Sequence, residues 1–302
     1  MTHRIEIPTP PGFSFETTVE SHGWYQLAPF AWDPATQTLT RIEQHQRNAV
    51  ELQIGWRAGR LIVQSQERLN FSEPSLPDRL RRMFQLDVDL TEFHMLCSLK
   101  EGHQKIARAR FGRLLCGSTL FEDAVKIICT TNTTWRQTKR MAGLLTDRFG
   151  ASTPSGSKAF PQPRALAEAG AGQLQRECSL GYRAQYIHQL ANGITDGTID
   201  PIKLSDRDLE TSESYRQYLQ LPGIGPYGAA HLLAMDGRHD FIAVDTEFRR
   251  FVRETYHHGR KVADATMLRR YKQWGRWKYL AYWSELWGAP KAVSKEAIKR
   301  TQ

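Results

Sequence analysis

Two β-branched, apolar runs set the character of the first third of the chain: Ala49–Trp56 (AVELQIGW) and Arg60–Gln66 (RLIVQSQ). Side chains alternate faces along a strand, so such runs suit a half-buried sheet, and Arg57-Ala58-Gly59 between them reads as a hairpin connection. The aromatic stretch Gly23–Trp32 (GWYQLAPFAW) and the short run Leu39–Ile42 predict further strands. Pro74 and Pro77 then interrupt the chain before Asp78–Phe84 starts a helical pattern. From Thr91 the apolar period lengthens towards 3.6, with Phe93, Leu96, Cys97 and Leu99 on one helix and Phe121–Ile128 on another. Ala151–Gln162 is rich in Ser, Gly and Pro and predicts a loop. Further helices are expected over Arg164–Ala169, Gly170–Cys178, Arg183–Asn192 and Asp206–Leu219. The predicted fold is α+β and mostly α, with a small antiparallel sheet domain over 1–90 followed by a helical domain over 91–302.

Composition narrows the class of partner. The chain has 302 residues, enough for two domains, and 40% of them are hydrophobic. Mean hydropathy is −0.53, and no apolar run approaches the roughly 18 residues that a membrane span needs. The opening MTHRIEIPTPPGF lacks the apolar core of a secretory signal, so a cytoplasmic, nucleoid-associated location is the expectation. Cys97, Cys116, Cys129 and Cys178 are too scattered for a zinc or iron–sulfur site. Cys116 and Cys129 lie in patterns that read as apolar helices, where a buried reduced thiol is the expected state. Lys and Arg outnumber Asp and Glu by 41 to 32, a net charge of +9, which suits a polyanionic partner.

The informative stretch is Tyr215–Asp245, YRQYLQLPGIGPYGAAHLLAMDGRHDFIAVD. A helix ending at Leu219–Leu221, a tight turn Pro222-Gly223-Ile224-Gly225-Pro226 and a second helix starting near Tyr227 are predicted. Two glycines around one apolar residue let the backbone approach a ligand closely. The free amides at a helix N-terminus form an anion site, and a DNA phosphate is the natural anion for a basic protein. Ile224 would plug the turn into the core. A plain helix–turn–helix corner without a ligand would account for the turn alone. It would not account for Ile242-Ala243-Val244-Asp245-Thr246, where an apolar run ends in a carboxylate about 20 residues downstream.

Taken together, LPGIGPYGAAHLL…IAVDT resembles the signature of the helix-hairpin-helix Gly/Pro…Asp DNA glycosylases. Two upstream segments resemble, in the right order, pieces of the 8-oxoguanine and alkylpurine branches: Ile127–Trp135 (IICTTNTTW) and Leu180–Ala184 (LGYRA). The resemblance extends over about Thr91–Trp287. It implies that Asn132 fills the gap left by a flipped nucleotide, Tyr182 wedges into the duplex and Arg183 faces the orphaned base. Helix capping for Asn132 and helix-start packing for Tyr182 and Arg183 are the plainer alternatives. The 8-oxoguanine enzymes carry a second arginine five residues after that asparagine. Here Gln137 stands there, with Arg136 beside it, which argues against strict selection for an opposite cytosine.

Breaking an N-glycosidic bond builds positive charge on the deoxyribose, and a nearby carboxylate stabilises it and can orient water. Asp245 is the catalytic residue this chemistry calls for, although capping the following helix would also suit an aspartate there. Bifunctional relatives carry a lysine nucleophile in the second hairpin helix. The matching position here is Tyr227, and no lysine occurs between Lys203 and Lys261. Tyrosine cannot form an imine, so hydrolysis without strand cleavage is expected.

His231 lies four residues after Tyr227, on the same helical face, either lining a base pocket or packing beside the hairpin. Tyr271–Trp287 is dense in aromatics at helical spacing, mostly suited to a core. Trp274 and Trp277 are the two proposed to stack on a flipped base. No cysteine follows Asp245, so the iron–sulfur loop of some relatives is absent, and no cofactor is expected beyond a monovalent cation at the hairpin. The partner implied is double-stranded DNA, bound by a monomer. Three readings remain open at this point: excision of a damaged base in repair, excision of a bulky modified pyrimidine from phage DNA, and DNA binding without catalysis.

Overall fold

The computed structural model describes residues 2–45, 48–67, 69 and 75–287. Five strands, β1 (His3–Pro8), β2 (Phe30–Asp33), β3 (Thr38–His45), β4 (Asn48–Arg57) and β5 (Arg60–Ser65), form one antiparallel sheet in the order β1-β5-β4-β3-β2. The hairpin falls where the sequence puts it, with Arg57 opposite Arg60. Ala58 and Gly59 both take positive φ, 49° and 76°, which matches the right-handed twist of the flanking strands. Leu52, Ile54, Leu61 and Val63 are fully buried, so the period-2 pattern marks the face turned to the core.

Two short helices, α1 (Phe15–Val19) and α2 (Leu76–Met83), flank the strands. Ser75 and Asp78 start α2 by capping each other's backbone amides, and Pro77 suits the first turn, where an amide has no helical partner. The helical part follows with α3 (Thr91–Leu99), α4 (Gln104–Arg108), α5 (Leu120–Thr130), α6 (Trp135–Phe149) and α7 (Pro163–Cys178). Then come α8 (Arg183–Thr195), α9 (Pro201–Leu204), α10 (Thr211–Leu219), α11 (Pro226–Met235), α12 (Thr246–Tyr256), α13 (Asp264–Arg269) and α14 (Lys278–Trp287). The fold is therefore α+β and mostly α, as expected.

Several elements differ from the sequence pattern. Gly23–Trp32 is not a continuous strand: Gly23–Gln26 is one 3-10 turn closed by the Leu27 amide on the Trp24 carbonyl, and only Phe30–Asp33 joins the sheet. Trp24 is buried, with its Nε1 bonded to Asp123 of α5, which overrides its strand preference. β1, α1, α4, α6, α9 and α13 are additional to the predicted elements. Over 206–219 the helix begins only at Thr211, because the Arg238 guanidinium holds the Asp206 and Leu209 carbonyls in a turn. Leu99 is 77% exposed, off the core face where Phe93 and Cys97 lie. Cys116 is buried, but in an irregular segment, and its amide bonds to the Met83 carbonyl. By contrast, α7 breaks at Gly170 (φ 73°, ψ 154°), between the two helices expected there. Pro74 and the side chain of Trp287 lie outside the described residues.

Sheet and helices share one continuous core running from Ile7 to Trp283. A buried ionic cluster also bridges them. Arg41 of β3 makes two 2.7 Å bonds to Glu122 of α5, and its Nε bonds Glu43, while Lys126 Nζ meets Glu122 at 2.7 Å. All four side chains are about 1% exposed or less. Among the described residues no helix is long and apolar enough to cross a membrane.

Candidate active site

The hairpin between α10 and α11 has the predicted geometry. Gly223 sits at φ 75°, a left-handed conformation that glycine adopts freely, and a Cβ there would lie 2.8 Å from Tyr186 of α8. Ile224 is buried, with its amide on the Leu221 carbonyl, and Gly225 is the exposed N-cap of α11. Gly228, one turn further, lets α11 approach α5: a Cβ there would lie 2.9 Å from Ile127. The hairpin is thus held on two sides by glycine-sized contacts, with the first amides of α11 unblocked.

Asp245 ends the extended stretch after α11 and is the N-cap of α12. Its Oδ1 accepts the Phe248 amide at 2.7 Å, and Oδ2 makes no hydrogen bond of ordinary length among the described residues. The cap role and an available oxygen therefore coexist. Burial raises the Asp245 pKa above its ordinary value, the Phe248 amide opposes that shift, and the Glu247 charge adds to it. Burial raises the pKa of the Tyr227, Tyr279 and Tyr282 phenols, and the Asp245 charge adds to each shift.

Tyr227 and His231, four residues apart on α11, stack at 5.8 Å with an interplanar angle of 15°. His231 is buried, its Nδ1 is 2.7 Å from the Tyr279 hydroxyl, and burial lowers its pKa to about 4. Its ring also meets His22 at 5.5 Å, Trp24 at 5.5 Å and Trp283 at 5.4 Å. Rings from three separate regions thus form one cluster around His231, in which Tyr227 and Tyr279 sense the Asp245 charge.

Asn132 lies at φ 46° after α5, exposed, with Nδ2 3.5 Å from the Tyr182 hydroxyl. Tyr182 is 54% exposed and Tyr186 packs edge-on against it at 6.1 Å. Arg183 turns inward: it is 8% exposed, donates to the Thr131 and Asn132 carbonyls, and lies under the Tyr182 ring at 4.7 Å. In this structure it clamps the Asn132 loop. Gln137 is exposed, and its amide is taken by the Thr134 cap.

Trp274 and Trp277 are not brought to this cluster. Both are buried around Phe93, at 6.1 and 5.8 Å, on a 3-10 segment interrupted at Gly275 (φ 54°). Trp277 Nε1 donates to Glu92 at 2.9 Å. Trp277 also lines a separate groove of about 490 Å³ with Asp87, Asp208, Arg238 and His239, which none of Asp245, Tyr227 and His231 lines. All four cysteines are buried and free. Among the described residues no group of three or more His, Cys, Asp or Glu is placed to hold a metal ion.

The family model for HhH-GPD superfamily base excision DNA repair proteins matches residues 125–276, half of the chain, from within α5 to the segment before α14. The chain belongs to that superfamily. No curated protein sequence matches it. Solved structures do. A 3-methyladenine DNA glycosylase from Archaeoglobus fulgidus is similar over 94% of this chain and 98% of its own, with TM-score 0.73 and 21% identity. The apo form of an 8-oxoguanine glycosylase/lyase from Clostridium acetobutylicum covers 94% and 95%, with TM-score 0.71 and 16% identity. The same enzyme bound to double-stranded DNA covers 94% and 97%, with TM-score 0.68 and 18% identity. At these identities the likeness establishes the fold.

Within this HhH-GPD protein, the residues that sequence reading missed come from outside the motif. His22 and Trp24 sit on the 3-10 turn that reads as a strand, and Tyr279 and Trp283 sit on α14. Trp24 is fixed by its Nε1 bond to Asp123 (2.8 Å), and Trp283 Nε1 donates to the Ser21 carbonyl (3.1 Å). Gly23 packs directly on the Trp135 indole, whose Nε1 bonds Gln26 at 2.9 Å, so the turn is braced by α6. A Cβ at Gly23 would overlap that indole. Gly23→Ala is expected to destabilise the protein by about 1–3 kcal/mol, read by urea unfolding. An unchanged unfolding midpoint would show that the brace is dispensable.

Proposed function

We propose that this protein is a monofunctional DNA glycosylase. It acts as a single chain on double-stranded DNA, flips one altered base and hydrolyses its N-glycosidic bond. The observation that carries the reading is Asp245: a carboxylate anchored to the N-terminus of α12 by one oxygen, with the other left for substrate, beside a wall of aromatic rings. As the base departs, the carboxylate stabilises the positive charge growing on the sugar and orients the attacking water. The amides around Gly223 and Gly225 hold a backbone phosphate. Asn132 and Tyr182, adjacent on one exposed edge, occupy the space vacated by the flipped nucleotide. Arg183 keeps their loop in position from beneath.

Tyr227 at the position of the lysine nucleophile supports water as the attacking group. Its phenol is held above the ordinary range, first by burial and then by the Asp245 charge, so it stays protonated. The product is then an abasic site in an uncut strand. Borohydride is expected to trap no protein–DNA adduct during turnover, and a covalent band on a denaturing gel would refute hydrolysis by water.

The aromatic wall favours a flat damaged purine over a glycosylated pyrimidine, which would need an open, polar pocket. The deciding experiment is a panel of duplexes, each with one altered base, together with phage DNA carrying modified cytosines, read by mass spectrometry of released bases. Release of a purine lesion supports the repair reading. Release only from phage DNA favours defence, and binding without release from any substrate favours a non-catalytic module.

A further inference from the structure

Burying a histidine ring costs free energy unless both nitrogens find partners. In the ring cluster that contains Tyr227 and Tyr279, two buried histidines each lack one. His22 is 2% exposed, its Nε2 is 2.7 Å from the Leu115 carbonyl, and its Nδ1 has no partner. His231 is 1% exposed, its Nδ1 is 2.7 Å from the Tyr279 hydroxyl, and its Nε2 has no partner. The rings meet edge to face at 5.5 Å, and both touch Trp24 and Trp283.

The tautomers follow from the partners. A carbonyl oxygen only accepts, so His22 carries its proton on Nε2 and leaves Nδ1 as an acceptor. For His231, a buried tyrosine hydroxyl needs an acceptor, and His231 Nδ1 is the one within reach of Tyr279 among the described residues. That puts the His231 proton on Nε2 and leaves a donor. Burial keeps both rings neutral: it lowers the His22 pKa well below its usual value, helped by His231, and lowers that of His231 as well.

We infer that His22 Nδ1 and His231 Nε2–H read the edge of the excised base, selecting a neutral, flat purine that presents one donor and one acceptor. The inference rests on the glycosylase reading of the Asp245 site. It makes the 3-10 turn before the sheet a determinant of specificity, and it assigns a role to two nitrogens that folding alone leaves unsatisfied. Sites built to hydrogen-bond a substrate group discriminate strongly against analogues that lack it, because the site's polar atoms are then stranded.

The test compares single-turnover release of hypoxanthine, 8-oxoguanine and unsubstituted purine from otherwise identical duplexes. Each rate is divided by that of spontaneous depurination. The wild type is expected to release at least one edge-bearing purine about tenfold or more faster than unsubstituted purine. His22→Gln retains a donor for the Leu115 carbonyl, and His231→Asn retains an acceptor for Tyr279, while each removes the reading atom. Both variants are expected to lose that preference, yet to unfold cooperatively and bind abasic-site duplex within about twofold of wild type. Preference retained in both variants, no preference in the wild type, or loss of abasic-site binding together with activity overturns the inference. Release of modified cytosine alone overturns it while leaving the glycosylase reading intact. Release of no base from any duplex overturns the glycosylase reading and the inference with it.

Discussion

Asp245→Asn is expected to lower the rate of base release about a thousandfold while leaving affinity for DNA nearly unchanged. At about 4 Å and an effective dielectric near 20, a carboxylate stabilises a developing unit positive charge by about 4 kcal/mol. That corresponds to roughly three powers of ten in rate. Asparagine is among the best N-cap residues, so its Oδ1 can keep the bond to the Phe248 amide and α12 keeps its start. The substitution thus removes the charge and little else. Single-turnover base release and equilibrium binding to an uncleavable duplex separate the two effects. A variant within tenfold of wild-type rate would show that the charge is not the main catalytic term.

The same carboxylate sets an acid limit. Because burial raises its pKa, the rate profile should fall on its acid side at a pH above the ordinary aspartate value of about 3.9. For stability the sign is the opposite of a salt-bridged aspartate's. Asp245 contributes below the unfolded-state pKa, and that contribution is lost as pH rises through the folded one. Ionised, the carboxylate therefore costs the fold some stability.

Glu122→Gln is the largest expected stability effect, about 3–5 kcal/mol. Burial resists ionisation of Glu122, but Arg41 and then Lys126 overcome it and hold the carboxyl well below the usual range. Removing the charge leaves Arg41 with Glu43, and it leaves Lys126 buried over Phe30 and Phe160 with no carboxylate in contact. The melting temperature should drop by about 10 °C. A drop under about 2 °C would mean that water or rearrangement satisfies Lys126. The stabilisation from Glu122 is complete above about pH 4.3 and is lost as pH falls towards its depressed folded value. The cluster ties β3 to α5, so acid should loosen the sheet from the helices that carry the site.

The hairpin and Asp245 are legible in the sequence because each depends on local rules. Gly223 needs a positive φ, Ile224 a core contact, and Asp245 a fixed distance along the chain from the turn. The β4–β5 hairpin and the break of α7 at Gly170 follow from equally local chemistry. The 3-10 turn at Gly23–Gln26 was not legible. Its aromatic sequence suits a strand, and only packing against Trp135 and Asp123 decides otherwise.

The ring cluster around His231 shows the same division most sharply. His231 could be placed on the face of Tyr227 by helical period alone. Trp274 and Trp277, in an equally aromatic stretch, pack instead around Phe93, on a 3-10 segment before α14 that is kinked between them at Gly275. His22 and Trp24 join His231 across more than 200 positions of chain, a pairing with no periodic trace. By itself the sequence determined the fold class, the glycine turn between two helices, the aspartate set at a fixed distance after it and the absence of lysine at Tyr227, since spacing and residue type suffice for each. The tertiary structure alone decided which rings gather around His231 and which of their nitrogens stay unsatisfied, because long-range packing is not encoded in local pattern.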